Sequence, residues 1–385
     1  MKGYDYVVNC GIDVIEAYSN IFENKKIGLI TNPTGVDRNL RSTIDILNER
    51  FNLKALYSPE HGIRGDFQAG EKVGDYTDKL TGIKVFSLYG ENKKPTKEML
   101  QDIDIMAIDI QDVGSRYYTY LYTMAYAMEA CKEYNKTFVV LDRPNPIGGN
   151  KVEGNILDTD FSSFVGLYSI TQRYGLTIGE LSILINKEFN IGCDLQVVKL
   201  EGWKRDMYYS ETELAWINPS PNMPTPNTAV LYNGTCLFEG TNVSEGRGTT
   251  KPFEMIGAPW IDGYKLSDKM NDMALDGVIF RPVYFVPTFS KYKNELCSGV
   301  QIHITNKKSV NAIEVGIKLL YEIIKMSGNN FEWLPPFKKG QKYFIDHLAG
   351  TDELRLMKYS ADELIRKWEK SSAEFTKIKE KYHIY

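Results

Sequence analysis

The chain is poor in cysteine, has no long apolar run and carries no strong excess of either charge, and each shortage removes a class of explanation. Its five cysteines, Cys10, Cys131, Cys193, Cys236 and Cys297, stand far apart. No CxxC pair exists for a metal or redox exchange, and the odd, scattered set predicts free buried thiols instead of a disulfide framework. Apolar runs are as short as Phe138-Val139-Val140-Leu141, so no membrane span is expected. The opening Met1-Lys2-Gly3-Tyr4-Asp5-Tyr6 lacks the apolar stretch of a secretion signal. As written, the chain is expected in the cytoplasm, an exported form requiring a leader that was trimmed. A formal charge of −4 over 385 residues gives no basic footprint for nucleic acid.

The familiar chemical signatures are missing too. There is no GxxxxGK[ST] loop and no GxGxxG after the first apolar run, which argues against a nucleotide site. The nucleophile elbow GxSxG and the zinc motif HExxH are absent. The four histidines, His61, His303, His347 and His383, are scattered. No metal and no cofactor is expected.

What is present is a repeated pattern. Length alone points to two domains. Over the first 150 residues, short apolar runs end in Gly- or Pro-marked polar turns and are followed by amphipathic stretches. The runs are Ile27–Ile30, Leu53–Tyr57, Lys84–Tyr89, Ile105–Ile110 and Thr137–Leu141. Such alternation predicts an α/β fold with a parallel sheet covered on both faces. Ligands of such sheets sit outside the carboxyl ends of the strands. Asn32, Glu60, His61, Asp112, Arg116, Asp142 and Arg143 all follow predicted strand ends, so one rim would gather them. The Gly148-Gly149-Asn150 stretch marks a domain exit, giving domains at 1–155 and 156–385. Beyond it, a helix is predicted over Thr177–Phe189 and strands over Leu195–Leu200, Val278–Val286 and Gly299–Ile304. The tail from Asp352 to Tyr382 reads as two helices starting near Thr351. The proline-rich Asn218–Asn227 segment, holding Asn222, reads as a rigid extended wall.

Three segments offer chemistry. Ser58-Pro59-Glu60-His61-Gly62-Ile63-Arg64-Gly65 sets a carboxylate beside an imidazole at a strand end. A carboxyl group in a partly apolar crevice holds its proton and serves as the general acid that glycosidic cleavage needs. The plain alternative is that Glu60 caps a turn or pairs with Arg64. The second, Phe238 to Thr250, offers Glu239 and Glu245 with Arg247 between glycines, suited to bidentate capture of a carboxylate or to surface ion pairs. The third, Asp109 to Tyr120, combines Asp112, Arg116 and Tyr118, suited to sugar stacking and anion recognition or to ordinary helix entry. The Asp142-Arg143-Pro144-Asn145-Pro146 turn reads equally as a brace or as a substrate contact.

Taken in order, Thr31-Asn32-Pro33-Thr34-Gly35, the Ser58–Gly65 and Asp109–Tyr120 segments, Asp142–Gly149, Asn218–Pro224, Glu239–Asn242 and Ser244–Thr249 resemble the NamZ-type exo-β-N-acetylmuramidases, formerly a domain of unknown function, DUF1343. The resemblance runs from about Gly11 to the C-terminus. It implies a Rossmann-like N-terminal domain, a smaller α+β barrel-like C-terminal domain and an active site in the cleft between them. It further implies a hydrolase of cell-wall recycling that releases N-acetylmuramic acid from the non-reducing end of peptidoglycan fragments. By the same likeness Glu60 is the catalytic acid. Glu245 is the first choice for the second carboxylate, with Glu239 next, and His61 orients Glu60 or binds a hydroxyl. Asn32, Arg64, Asp112, Arg116, Tyr118, Asp142, Arg143, Asn222, Glu239 and Arg247 are the expected substrate contacts, with Arg247 and Arg116 favoured for the lactyl carboxylate. The competing reading is a non-catalytic protein that binds muropeptides or amino sugars.

Overall fold

The structure, a computed structural model, describes residues 7–60, 62–65, 74–90 and 92–385. Its first sheet has seven strands: β1 (Lys26–Thr31), β2 (Asn52–Ser58), β3 (Tyr76–Thr77), β4 (Lys84–Ser87), β5 (Ile105–Asp109), β6 (Thr137–Leu141) and β7 (Asp194–Val198), in the order β3-β4-β2-β1-β5-β6-β7. All neighbours are parallel except the short β3, which runs antiparallel to β4.

The apolar runs form central strands because both of their faces are covered. Side chains alternate between two cores: Met106, Ile108, Phe138 and Val140 join one, and Ile105, Ala107, Val139 and Leu141 join the other. Flanking helices start where the sequence offers caps. Ser42 caps Thr43–Arg50, and Thr177 with Glu180 forms a capping box on Ile178–Glu188.

Two expectations are revised. Strand β7 pairs with β6, so the first sheet continues past the boundary placed at 155. The sequence predicts a strand there but not its return to the first sheet, because strand pairing is set by partners distant in the chain. In the tail, the long helix is Ala361–Lys379, started by the Ser360–Glu363 capping box, while Thr351–Met357 forms turns. Thr351 lacks the Glu three residues on that would complete a box, and Ser360 has it.

A second, smaller sheet of three antiparallel strands, β8 (Met255–Ala258), β9 (Val278–Phe285) and β10 (Cys297–Ile304), has the order β8-β10-β9. The helices Pro226–Thr235 and Ala312–Met326 belong to this lobe. The proline-rich wall ends by entering a helix: Pro226 occupies the first turn, where the missing N–H costs nothing. The five cysteines are free and buried. Among the described residues, no helix is long and apolar enough to cross a membrane.

In the first sheet the chain runs outward from β1 to β2 and β4, then returns to add β5, β6 and β7 on the other side. The order therefore reverses between β1 and β5. The crevice above such a reversal is where open α/β sheets bind ligands.

Candidate active site

Above that reversal lies a cavity of about 250 Å³, at the small end for ligand sites. Glu60 reaches it from the turn after β2. Its Oε2 accepts a hydrogen bond from the Thr119 hydroxyl at 3.0 Å. Tyr89 stands against it, and burial together with the Glu60 charge holds the Tyr89 phenol protonated well above its usual range. Arg64, the alternative partner for Glu60, is instead clamped on Asp78 by two bonds of 2.8 and 3.0 Å. His61 lies outside the described residues.

The turn after β5 brings in Tyr117, Tyr118, Thr119 and Tyr120. Gly114 makes that turn possible: its φ is +75°, and a Cβ there would lie 2.5 Å from Asn145 Oδ1. The Tyr120 hydroxyl donates to the Pro219 carbonyl at 2.5 Å, which fixes the proline-rich wall so that Ser220, Asn222 and Met223 face the cavity. The Tyr118 hydroxyl is buried without a well-formed hydrogen bond and lies within the fields of Glu60 and Arg247.

The second lobe closes the other side. Helix Pro226–Thr235 ends in a tight turn over Cys236–Gly240 that carries Glu239. Arg247 sits between Gly246 and Gly248, and a Cβ on either would lie 2.7 Å from backbone atoms. Arg247 Nη2 donates to Glu239 Oε1 at 2.5 Å, and its Nε lies 3.2 Å from Glu245 Oε1. Lys291 Nζ holds the other oxygen of Glu245 at 2.8 Å. The guanidinium also lies over the Phe253 ring, 5.1 Å from its centroid. Tyr232 meets Phe253 edge-on at 4.7 Å and Tyr117 edge-on at 6.0 Å, building a buried aromatic wall.

The two acidic residues of this loop differ. Glu239 lines the cavity with its side chain 17% exposed, whereas that of Glu245 is 3% exposed and does not line it. Burial raises the Glu239 pKa, opposed by Arg247 and reinforced by Glu245. Glu245, the sequence's first choice for the second carboxylate, is held behind the lining by Arg247 and Lys291, and Glu239, the next choice, faces the opening.

The structure gathers Glu60, Tyr118, Asn222, Glu239 and Arg247 on one cavity. It does not bring the other expected contacts there. Arg116 is buried, and its two terminal nitrogens donate to four carbonyls, those of Asn155, Ile170, Leu348 and Ala349. It ties chain segments together and has no fork left for a substrate anion. Arg143 is locked on Asp109 at 2.5 and 2.9 Å and on the Val36 carbonyl. Asp142 accepts from Thr177, from the Gly179 amide and from Tyr385. Asn32 shapes its own turn by accepting from the Thr34 amide at 2.9 Å. Asp112 is buried away from the cavity lining, with one oxygen unpartnered. Residues the sequence did not single out also line the cavity. Tyr117 and Tyr120 flank Tyr118 in the same motif and were open to notice, whereas Phe164 and Val165 carry no local signal.

A carboxylate from each lobe, a guanidinium beside one of them and aromatic walls are the equipment of a glycoside hydrolase. Comparisons with known proteins agree. Residues 27–227 match the family described as "Exo-beta-N-acetylmuramidase NamZ, N-terminal", and residues 230–385 match its C-terminal counterpart. The chain belongs to this family. It is 50% identical over 384 residues to the peptidoglycan beta-N-acetylmuramidase NamZ of Bacillus subtilis (strain 168), covering 98% of this chain and 91% of that one. Crystal structures of two DUF1343 family proteins from Bacteroides fragilis NCTC 9343 are similar along nearly the whole length. One has a TM-score of 0.90 at 42% identity, the other 0.78 at 33%, and each comparison covers 98% of this chain and 99% of the other.

Proposed function

We propose that Glu60 and Glu239 are the carboxylates with which this exo-β-N-acetylmuramidase cleaves its glycosidic bond, releasing N-acetylmuramic acid from the non-reducing end of peptidoglycan fragments. One observation supports this above the rest: the two side chains come from different lobes and line one small cavity. Glu60 protonates the leaving oxygen, oriented by the Thr119 hydroxyl. Glu239 serves the opposite side of the sugar, as nucleophile, as water-activating base or as a partner for the acetamide. The small volume and aromatic lining of the cavity fit a single terminal sugar, to whose hydroxyls Tyr118 and Asn222 present polar atoms. Arg247, the lone cationic side chain among the described lining residues, is the partner for the lactyl carboxylate. The competing idea of a non-catalytic binder gains no support from likeness to a named β-N-acetylmuramidase along 98% of the chain.

The test uses a chromogenic β-N-acetylmuramide and a muramic-acid-terminated disaccharide, with product analysis. Glu60→Gln and Glu239→Gln are each expected to lose turnover while keeping the native circular dichroism. Near-normal hydrolysis by Glu60→Gln would overturn the assignment of the acid.

A further inference from the structure

Arg247 is not a free anion site. It is already shared by two carboxylates, Glu239 at 2.5 Å and Glu245 at 3.2 Å. Glu245 has a second cation, Lys291 at 2.8 Å, and Lys291 also donates to the Phe238 and Val243 carbonyls. Glu245 therefore keeps a partner if Arg247 moves. Glu239 has one direct ion pair, with Arg247, and feels Lys291 only at longer range.

The remaining neighbours of Glu239 do not replace it. Tyr232 on the preceding helix and Cys236 on the same turn are both buried, and their proton affinities are raised chiefly by burial. Helix Phe344–Ala349 packs against the turn, with Ile345 directly over Gly240. Of its polar groups, Asp346 is held by Arg355 at 2.8 Å and His347 by the Phe161 carbonyl at 3.1 Å. Across the cavity stand Glu60, another acid, and the neutral phenols of Tyr89 and Tyr118. Among the described lining residues, an anionic sugar entering here meets one cation and two carboxylates.

We propose that the carboxylate of the substrate takes Arg247 from Glu239, and that Glu239, deprived of its direct ion pair, gains proton affinity and draws its proton from the reacting groups. The exchange rests on the function proposed above and adds a selectivity device to it. One charge-assisted contact is broken and one is formed: Arg247 Nη2 leaves Glu239 Oε1 and donates to the substrate carboxylate. Removing a facing cation from a desolvated carboxylate raises its proton affinity. Glu239 thus becomes the stronger base only when an anionic sugar is in place. An N-acetylglucosamine unit, which lacks the lactyl carboxylate, leaves Arg247 where it is and Glu239 a weak base. Discrimination then acts on the chemical step as well as on binding.

Binding and catalysis are separated by using Glu60→Gln with the free sugars. Titration calorimetry in two buffers of different ionisation enthalpy, at mildly acidic pH, reads net protons taken up. N-acetylmuramic acid is expected to bring a fraction of a proton with it, and N-acetylglucosamine none. Adding Glu239→Gln is expected to remove the uptake while N-acetylmuramic acid still binds. Equal proton counts for the two sugars would overturn the exchange, as would uptake that survives Glu239→Gln, which would put the proton on the sugar's own carboxylate. Failure of N-acetylmuramic acid to bind at all would instead overturn the functional reading beneath it. A second readout is turnover: in the otherwise unaltered enzyme, the advantage of the muramide over the matching glucosaminide is expected in kcat as well as in KM, and an advantage confined to KM would sink the proposal.

Discussion

Two groups of charged residues in the molecule are each built from carboxylates and arginines. One comprises Asp109, Asp142, Arg143 and Arg116. The other comprises Glu60, Glu239 and Arg247. In the first, donors and acceptors are matched almost throughout by protein. Asp109 is fully buried and takes two bonds from Arg143 and one from Thr43. In the second, the groups are only partly enclosed: the side chains of Glu239 and Arg247 are 17% and 26% exposed, and both line an open space. Hydrogen-bonding capacity left over at a cavity, rather than charge near a strand end, separates a site from a brace. A saturated buried pair holds its shape whether or not a ligand is present, while an unsaturated one has something to gain from a ligand.

The sharpest way to break this contrast is to damage each group in turn. Glu60→Gln is expected to reduce kcat by about 10²–10⁴, the usual range for losing a positioned proton donor, with the melting temperature little changed. Arg143→Met reverses the pattern. It leaves Asp109 charged and buried without its partner, a loss of about 3–5 kcal/mol in stability, read as a large fall in denaturant midpoint or in soluble yield. If Arg143→Met is stable but inactive, the braces belong to the site after all. Arg116→Met is expected to cost less, about 2 kcal/mol, because neutral carbonyls are left behind rather than an unpaired charge. Its effect on KM is expected to be small, and a selective rise in KM would return Arg116 to substrate binding.

Much of this architecture is legible in the residues themselves. β1, β5 and β6 are read directly, because full burial on two faces demands continuous apolar runs. The helix over Ile178–Glu188 is likewise written locally in the Thr177–Glu180 box. The strand-end rule points to Glu60, but of the described residues it would gather on one rim, Glu60 alone lines the cavity. What the sequence hides is who neutralises whom. Arg116 meets the carbonyls of Leu348 and Ala349, 232 and 233 residues away. The choice between Glu239 and Glu245 turns on Lys291, 46 residues beyond Glu245, which secures that residue from within. Phe164 and Val165 reach the cavity from an irregular segment with no periodicity to mark it. Backbone propensity is a short-range property, while charge compensation depends on the finished fold.

Asp112 offers the subtlest test, because it stands between the two groups. Burial pushes its carboxyl up from 3.8 to about 7, with the Gly114 amide opposing and the Asp142 charge adding to the rise. One of its oxygens is buried without a partner. An aspartate whose folded pKa lies above its unfolded value binds more protons in the folded state. The stability it supplies is complete below the unfolded value and is lost as pH rises through the folded one. Denaturant midpoints are therefore expected to decline between about pH 4 and about pH 7, a window set by the unfolded and folded values. Asp142 is raised by burial to about 7 as well, so Asp112→Asn, which mimics the protonated form, is expected to lessen that decline without abolishing it, while leaving kcat/KM within about threefold, roughly 0.65 kcal/mol at the transition state. Asp112 would then belong with the braces. A variant that keeps the full decline but loses kcat/KM would move it to the catalytic side, because the group would be working through bound sugar and not through the folded state.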